Sequence, residues 1–575
     1  MVYREPQDIP YTLIENVAAF LSESLYVQAL NILISTVASR TYASEKAYRP
    51  TQKHLALAAT FLVHPSTTTN AKSAGHKEAC NAALQLLRLT SCLISPKDAN
   101  FNLAFNFEAS QNARGGRQRR DDSPVLDRKK KNEVFDPHAL KYVELADAES
   151  LWTCADDFWH AVGWAFNCSV LHPERWEHWN IWLKYMCEVI LDDWKQREAE
   201  YAEAKAAKKS MSPASPEENI RGRGARKNED EDLDIFRGSL IFQYISAGSL
   251  AGRNSRIIKS IFADGSSNSV NMFRQVFTQE LKRSGKSQSR KRVRDVNIDR
   301  EEYGDYLSDD DSNEEEDEIP DTSNPQARGS LPPMGANRPK RTRRGTRSDA
   351  NSIKDPKTKD QASLTNHSGS VAMMGGLESI YLRKMLLHIL SLVSERLPQD
   401  YVSIYDLYPM FVDYIRPLPL PVFQAFVSPT VLPVFSSEEH TTFCEILLFT
   451  LRESSAPASS EEYLNQEKLE KCFLPYTAAN ANRVNNAKVS ILLEALVILL
   501  AKNDMLVVTP LFRNAVEEGI HRRADRVHDE RRGVNGRRNA NSRNKDSIEW
   551  CWLVESGDRL MLMMDLLSLK DEELK

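Results

Sequence analysis

The sequence predicts an all-α protein, built as two helical blocks that carry long charged insertions. Two observations predict it. Apolar residues recur at spacings of three and four through most of 11–107, 138–208 and 376–520. Between these blocks lie polar, low-complexity stretches in which no such period persists. Links of a few residues between successive helices favour antiparallel pairs, so the expected architecture is an irregular helical repeat or bundle, HEAT- or TPR-like at fold level. No fixed repeat length emerges.

The chain has 575 residues, enough for two to four folded units at roughly 100–200 residues each. Its net charge of −5 argues against a surface coated with positive charge for bulk nucleic-acid binding. Eight cysteines are scattered without a C-x-x-C pair, which points to a reducing compartment. Met1 to Pro10 is polar and reads as no secretory signal. The most apolar run, Val489 to Ala501, is interrupted by Glu494 and falls short of the roughly 20 residues that span a bilayer. A soluble, intracellular protein with no membrane partner is the expectation, and the sequons at Asn167 and Asn366 read as chance.

The first block, 8–107, reads as helical pairs. Thr12 and Glu15 have the spacing of a capping box, followed by the stripe Leu13, Val17 and Leu21. A second helix aligns Tyr26, Leu30, Leu33 and Val37, a third Leu55, Ala58 and Leu62, and a fourth spans about 74 to 94. Residues 108–135, arginine-rich and poor in core formers, read as a disordered basic loop. The segment 136–208 reads as a tryptophan-rich hairpin, with seven of the nine tryptophans between 152 and 194. One helix carries Trp152, Trp159, Val162, Phe166 and Val170. The next starts at Pro173 and carries Trp176, Trp179, Leu183, Met186, Ile190 and Trp194 before a charged, solvent-projecting extension.

A polar loop, 209–231, leads to further amphipathic helices in 232–282, among them Ile235 to Ile245 and Val270 to Leu281. The linker 283–375 reads as disordered: basic, then strongly acidic from Asp309 to Asp321, then basic again. Helix returns over 376–520, with a face of Leu382, Met385, Ile389 and Leu392, a proline-broken connector, and core helices near 441–453 and 486–502. Thr509-Pro510 opens a helix that ends near Ile520. A basic loop, 521–546, precedes a closing segment, 547–570, in which Trp550-Cys551-Trp552 has the alternation of a short strand and a helix runs from Asp558 to Leu569.

Four basic clusters resemble nuclear-import signals. The best is Lys340, Arg341, Arg343 and Arg344. A two-part arrangement joins Lys282 and Arg283 to Arg290, Lys291, Arg292 and Arg294. The others lie at Arg117 to Lys131 and in 521–545. Ser308 and Ser312 precede acids and suit an acidophilic kinase, whose phosphates would deepen the acidic tract. Cys154, Asp156, Asp157, His160, Cys168, His172 and His178 lack the spacing of a metal site, so core or capping roles are expected. Gly285-Lys286-Ser287 imitates the end of a P-loop, but Glu280 stands where its first glycine belongs. Trp176, Trp179 and Trp194 have two readings, a buried core face and a partner surface, because large rings serve both.

No catalytic motif, metal site or cofactor site is expected. The chain reads as a nuclear, non-enzymatic scaffold or adaptor with protein partners in a complex, leaning to chromatin or genome maintenance. The basic loops would add weak electrostatic contact with nucleic acid. A ribosome-biogenesis factor and an enzyme with an unrecognised site are the alternatives.

Overall fold

A computed structural model describes residues 3–39, 45–107, 140, 143–211, 233–247, 252–281, 373–458, 463–534 and 548–573. The chain divides into two units. One comprises 1–283 with 364–575, and the other, 284–363, lies outside the described residues. The described residues are mostly helical, with a single pair of three-residue strands. A HEAT- or TPR-type repeat does not follow from the element order.

The first block opens with β1 (Pro6–Asp8), α1 (Tyr11–Ser22), α2 (Tyr26–Ala38), β2 (Ala47–Arg49), α3 (Gln52–Val63) and α4 (Ala74–Leu93). The apolar stripes turn inward as their spacing dictates: Val17, Leu30, Leu33, Leu55, Ala58, Leu62, Ala83 and Leu87 are buried. Pro10, not Thr12, precedes the first helix, and no side chain caps it. The fixed φ of proline fits that position, so the carbonyl of Pro10 takes the first amide bonds from Leu13 and Ile14. The strands were not expected. They pair in parallel, Pro6 beside Ala47, and Arg49 holds Asp8 at 2.6 Å.

Next come α5 (Phe101–Ala104), α6 (Leu151–Cys154), α7 (Phe158–Leu171) and α8 (Pro173–Met211). The single helix expected near 149–170 is two, because Asp157 takes an extended backbone and its carboxylate accepts from His160 N at 2.7 Å. α8 continues through its charged extension, and Tyr201 of that extension packs on Phe236. α9 (Leu240–Ser246), α10 (Arg253–Ile261) and α11 (Ser267–Met272) follow. The helix expected over Val270 to Leu281 ends at Met272, and the chain continues irregularly to Leu281.

The second block comprises α12 (Gly376–Arg396), α13 (Ile404–Ile415), α14 (Leu420–Val427), α15 (Ser437–Leu451), α16 (Gln466–Cys472), α17 (Arg483–Lys502), α18 (Pro510–Val534) and α19 (Ile548–Glu573). A capping box does occur here, at Ser436 and Glu439 of α15. α17 is long and apolar enough to cross a bilayer, yet α14, α15, α18 and α19 pack around it. α18 runs well past Ile520 because Phe512, Val516, Arg523 and Val527 keep one face in the core. Trp550 and Trp552 lie within α19, so the short strand expected there is helix.

The two blocks share one body. Arg237 pairs with Asp400 at 3.0 Å, Asn180 donates to Glu378 at 2.9 Å, and Phe262 stacks on Tyr414 at 5.1 Å.

Candidate functional site

The strongest concentration of buried polar chemistry sits on α7 and the start of α8. The tail after α11 places Phe273 against Gly163, where an added Cβ would come within 2.3 Å of its ring. Asn167 fixes the chain on both sides of α11, donating to the Phe273 carbonyl at 3.2 Å and accepting from Gly265 N, just before that helix, at 3.0 Å. This delivers Glu280, only 2% exposed, into the tryptophan layer.

Glu280 is saturated with donors. Its Oε1 accepts from Arg175 Nε at 2.9 Å, Arg175 Nη2 at 2.7 Å and Trp179 Nε1 at 2.8 Å. Its Oε2 accepts from Trp164 Nε1 at 3.0 Å and Phe277 N at 3.3 Å. Arg175 in turn donates to Thr68 Oγ1 at 2.7 Å and to the Val63 carbonyl, which ends α3. A buried carboxylate is tolerated only with such compensation. One ion pair therefore joins α3, α7, α8 and the tail.

His64 lies beside this pair, edge-on to Phe277 at 4.8 Å. Burial, and then the positive charge of Arg175, lower its pKa to about 4. Its 3.7 Å approach to Glu149 is therefore made by a neutral ring at neutral pH. His178 is held at about 4 by the same causes, with Lys77 adding to them. A surface cavity of about 250 Å³ lies elsewhere, lined by Ile9, Ile14, Arg49, Thr51 and Asn100. A carboxylate this deeply buried and already saturated with donors has the character of an anchor.

The far side of α7 receives the second block. Ser379 donates to Ser169 at 3.2 Å, and Arg383 lies over the Phe166 ring at 4.0 Å. Gly375 has φ +77°, and an added Cβ would lie 2.1 Å from Ser169 Oγ, so only glycine fits. Residues 281 and 373, the last and first described residues on either side of the charged linker, thus adjoin segments fixed to one helix.

Trp176, Trp179 and Trp194 are 8%, 0% and 1% exposed. Trp179 serves Glu280, and Trp194 packs on Phe236 at 5.1 Å. Their face is core, which removes it as a partner surface. The import candidates Lys282, Arg283, Arg290, Lys291, Arg292, Arg294, Lys340, Arg341, Arg343 and Arg344, and the phosphorylation candidates Ser308 and Ser312, lie outside the described residues.

The Cys, Asp and His residues of 154–178 do not converge. Asp157 caps α7, His160 Nδ1 accepts from Asp156 N at 3.1 Å, and Cys168 is buried. Among the described residues no group of three or more His, Cys, Asp or Glu side chains is placed to hold a metal ion. Sequence reasoning missed Glu280 as a site residue, since its side-chain partners lie 101 to 116 positions away. Its only local signal was an acid following Phe273 and Phe277 at helical spacing. No protein-family model matches the chain, and neither does any curated protein or solved structure.

Proposed function

We propose that this chain is a non-enzymatic nuclear scaffold or adaptor subunit, with chromatin or genome maintenance as the favoured setting. The observation that carries the reading is the segregation of charge. The basic clusters at 282–294 and 338–347 and the acid run between them fall in one continuous stretch, and the described segments on either side of it, the tail to Leu281 and the start of α12, are held on α7. A helical body offers extended surface for partners, while a stretch rich in charge suits an import carrier and basic or acidic partners. Within this reading the hairpins of the first block act as an irregular repeat of the HEAT or TPR kind.

The test is imaging of the tagged protein with Lys340, Arg341, Arg343, Arg344, Arg290, Lys291, Arg292 and Arg294 changed to Ala. Nuclear wild type and a cytoplasmic variant are expected. A cytoplasmic wild type overturns the reading. Proteomics of the same tagged copy then assigns the complex, with chromatin-associated subunits expected.

A further inference from the structure

The outward face of the last helix is chemically unusual. α19 buries Leu553, Leu560 and Met564 against α17 and α18. The opposite face carries Cys551, Val554, Glu555, Asp558, Leu562, Asp565, Leu566 and Leu569, all exposed. A solvated helix face normally mixes charges of both signs. This one has three leucines at 57%, 57% and 58% exposure, spaced four and three apart so that they form one ridge. Among its described side chains it has three acids and no cation.

The described cations adjacent to the ridge, Arg559 and Arg513, are paired. Arg559 is held by Glu494 at 2.9 Å and also meets Glu555 at 3.6 Å. Arg513 is held by Asp565 at 2.7 Å and by Glu517 at 3.3 Å. The ridge therefore presents aliphatic anchors bordered by acids, with Asp558 left to face outward.

We propose that this face is a docking site for a protein partner's amphipathic helix, one with aliphatic anchors and Lys or Arg on its flanks. Charge complementarity selects this occupant over the others. A second copy laid antiparallel would bring Glu555 and Asp558 toward a stretch that is itself net acidic, since Asp571, Glu572 and Glu573 outnumber Lys570 and Lys575 after the leucines. An anionic membrane surface repels the same acids. The chain's own basic stretch nearest in sequence, 535–547, contains no aliphatic residue larger than alanine to fill the ridge. Three leucines in register supply the anchors that helix-in-groove recognition uses, and the acids set orientation and rate of encounter. The inference deepens the scaffold reading by assigning one partner surface, and it can fail while that reading stands.

The experiment uses the full chain in cells, with photoreactive benzoylphenylalanine in place of Val554, which is exposed on the same face. Crosslinked peptides are sequenced, and Leu562→Glu/Leu566→Glu is made in the same background. The expected result is a crosslink to a foreign helical segment with aliphatic spacing of three and four and basic flanks. Its yield should drop at least about tenfold in the double variant, the loss expected for central anchors. The melting temperature of the double variant should match wild type, because both leucines are exposed. A crosslink to a second copy, to this chain's own residues, to an acidic segment, or to nothing overturns the proposal. So does early melting of the variant, which would mark the ridge as internal packing. Nuclear localisation in the same cells reports on the scaffold reading separately.

Discussion

The two blocks bury positive charge in different ways. In the first, the deeply buried cations face carboxylates: Arg175 holds Glu280 at 2.7 Å, and Arg197 holds Asp193 at 3.1 Å. In the second, Lys468 follows that pattern with Glu445, but Arg383, Lys384, Lys488 and Arg523 rest on backbone carbonyls. Several of those carbonyls are at helix ends. Arg383 reaches Ile261 and Ala263 at the end of α10, Lys384 reaches Ala425 in the last turn of α14 at 3.5 Å as well as Leu432 in the connector at 2.6 Å, and Lys488 reaches Arg416 after α13 at 2.5 Å. Helix C-termini leave carbonyls without partners and carry the negative end of the dipole, so a cation there satisfies both.

The difference has an energetic consequence. Removing one member of a carboxylate pair strands a buried charge. Removing a cation from carbonyls strands only dipoles, and it also relieves the desolvation of the cation itself. Burial lowers Lys384 and Lys488 to about 8, and Arg383 to about 9. Those directions show that burial outweighs the carbonyls in setting the charge balance of these groups.

The largest effects should come from the Glu280 anchor. Arg175→Met leaves Glu280 buried against two indoles and one amide, and should cost about 3–5 kcal/mol. Trp179→Ala removes a fully buried ring and one donor to the same carboxylate, with a similar cost of about 3–5 kcal/mol. Urea midpoints of the purified proteins measure both. Adding Glu280→Gln to Arg175→Met should restore part of the loss. If the double variant is less stable than Arg175→Met alone, stranded charge is not the cause. An unchanged Trp179→Ala midpoint would contradict the core assignment.

How much of this was legible in advance depended on range. Helices such as 52–63, 74–93 and 483–502 were readable because their apolar period is local and tertiary packing agrees with it. The tryptophan stripe was also readable as a core face. The break at Asp157 was not, since the stripe from Trp152 to Phe166 is uninterrupted in hydrophobicity and only the cap reveals it. Trp550 and Trp552 mimic a strand over three residues, but the helix around them is 26 residues long. Phe273, Phe277 and Glu280 share helical spacing, yet their side chains serve α7 instead of extending α11. The ridge at Leu562 was hidden for a related reason. A leucine-rich helix predicts burial, and sequence alone does not say which face goes unused.

Acid should act on both blocks together, a milder effect than loss of the anchor. Burial holds His64 and His178 in the first block, and His440 in the second, at about 4. Between about 6.5 and 4 the unfolded chain binds protons that the folded chain refuses, so stability falls as pH drops through that window. Above it the sign changes by group. Lys384 and Lys488 release protons in the folded state from about 8, so stability gains from them as pH rises past 8. Burial pushes the Cys80 and Cys444 thiols up to about 11 and 12 from 9.0, so above 9 they oppose that gain. Melting across pH 4 to 10 should therefore show stability climbing from the acid limb to about pH 9 and flattening above it, where the two thiols offset the two lysines. His440→Gln should flatten the acid limb while keeping a donor for the Val427 carbonyl.

The smallest effect should come from Lys488→Met, the counterpart of Arg175→Met in the second block. Lys488 is 3% exposed, donates to the Arg416 carbonyl and lies 5.1 Å from the centre of the Phe423 ring. Methionine is close in length, carries no charge to desolvate and makes favourable sulfur contacts with a ring. What is lost is one hydrogen bond from a charged donor, worth about 1.5–3 kcal/mol. The relief of a desolvated ammonium works against that loss, so the net change should stay below about 1 kcal/mol near neutral pH. The variant should also lose part of the rise in stability between pH 8 and 9, because one of the two lysines that produce it is gone. Urea midpoints at pH 7 and 9 test both halves of the statement. A loss at pH 7 as large as that of Arg175→Met would show that carbonyl-capped cations are held as firmly as carboxylate-paired ones, and the contrast between the two blocks would then be geometric and not energetic.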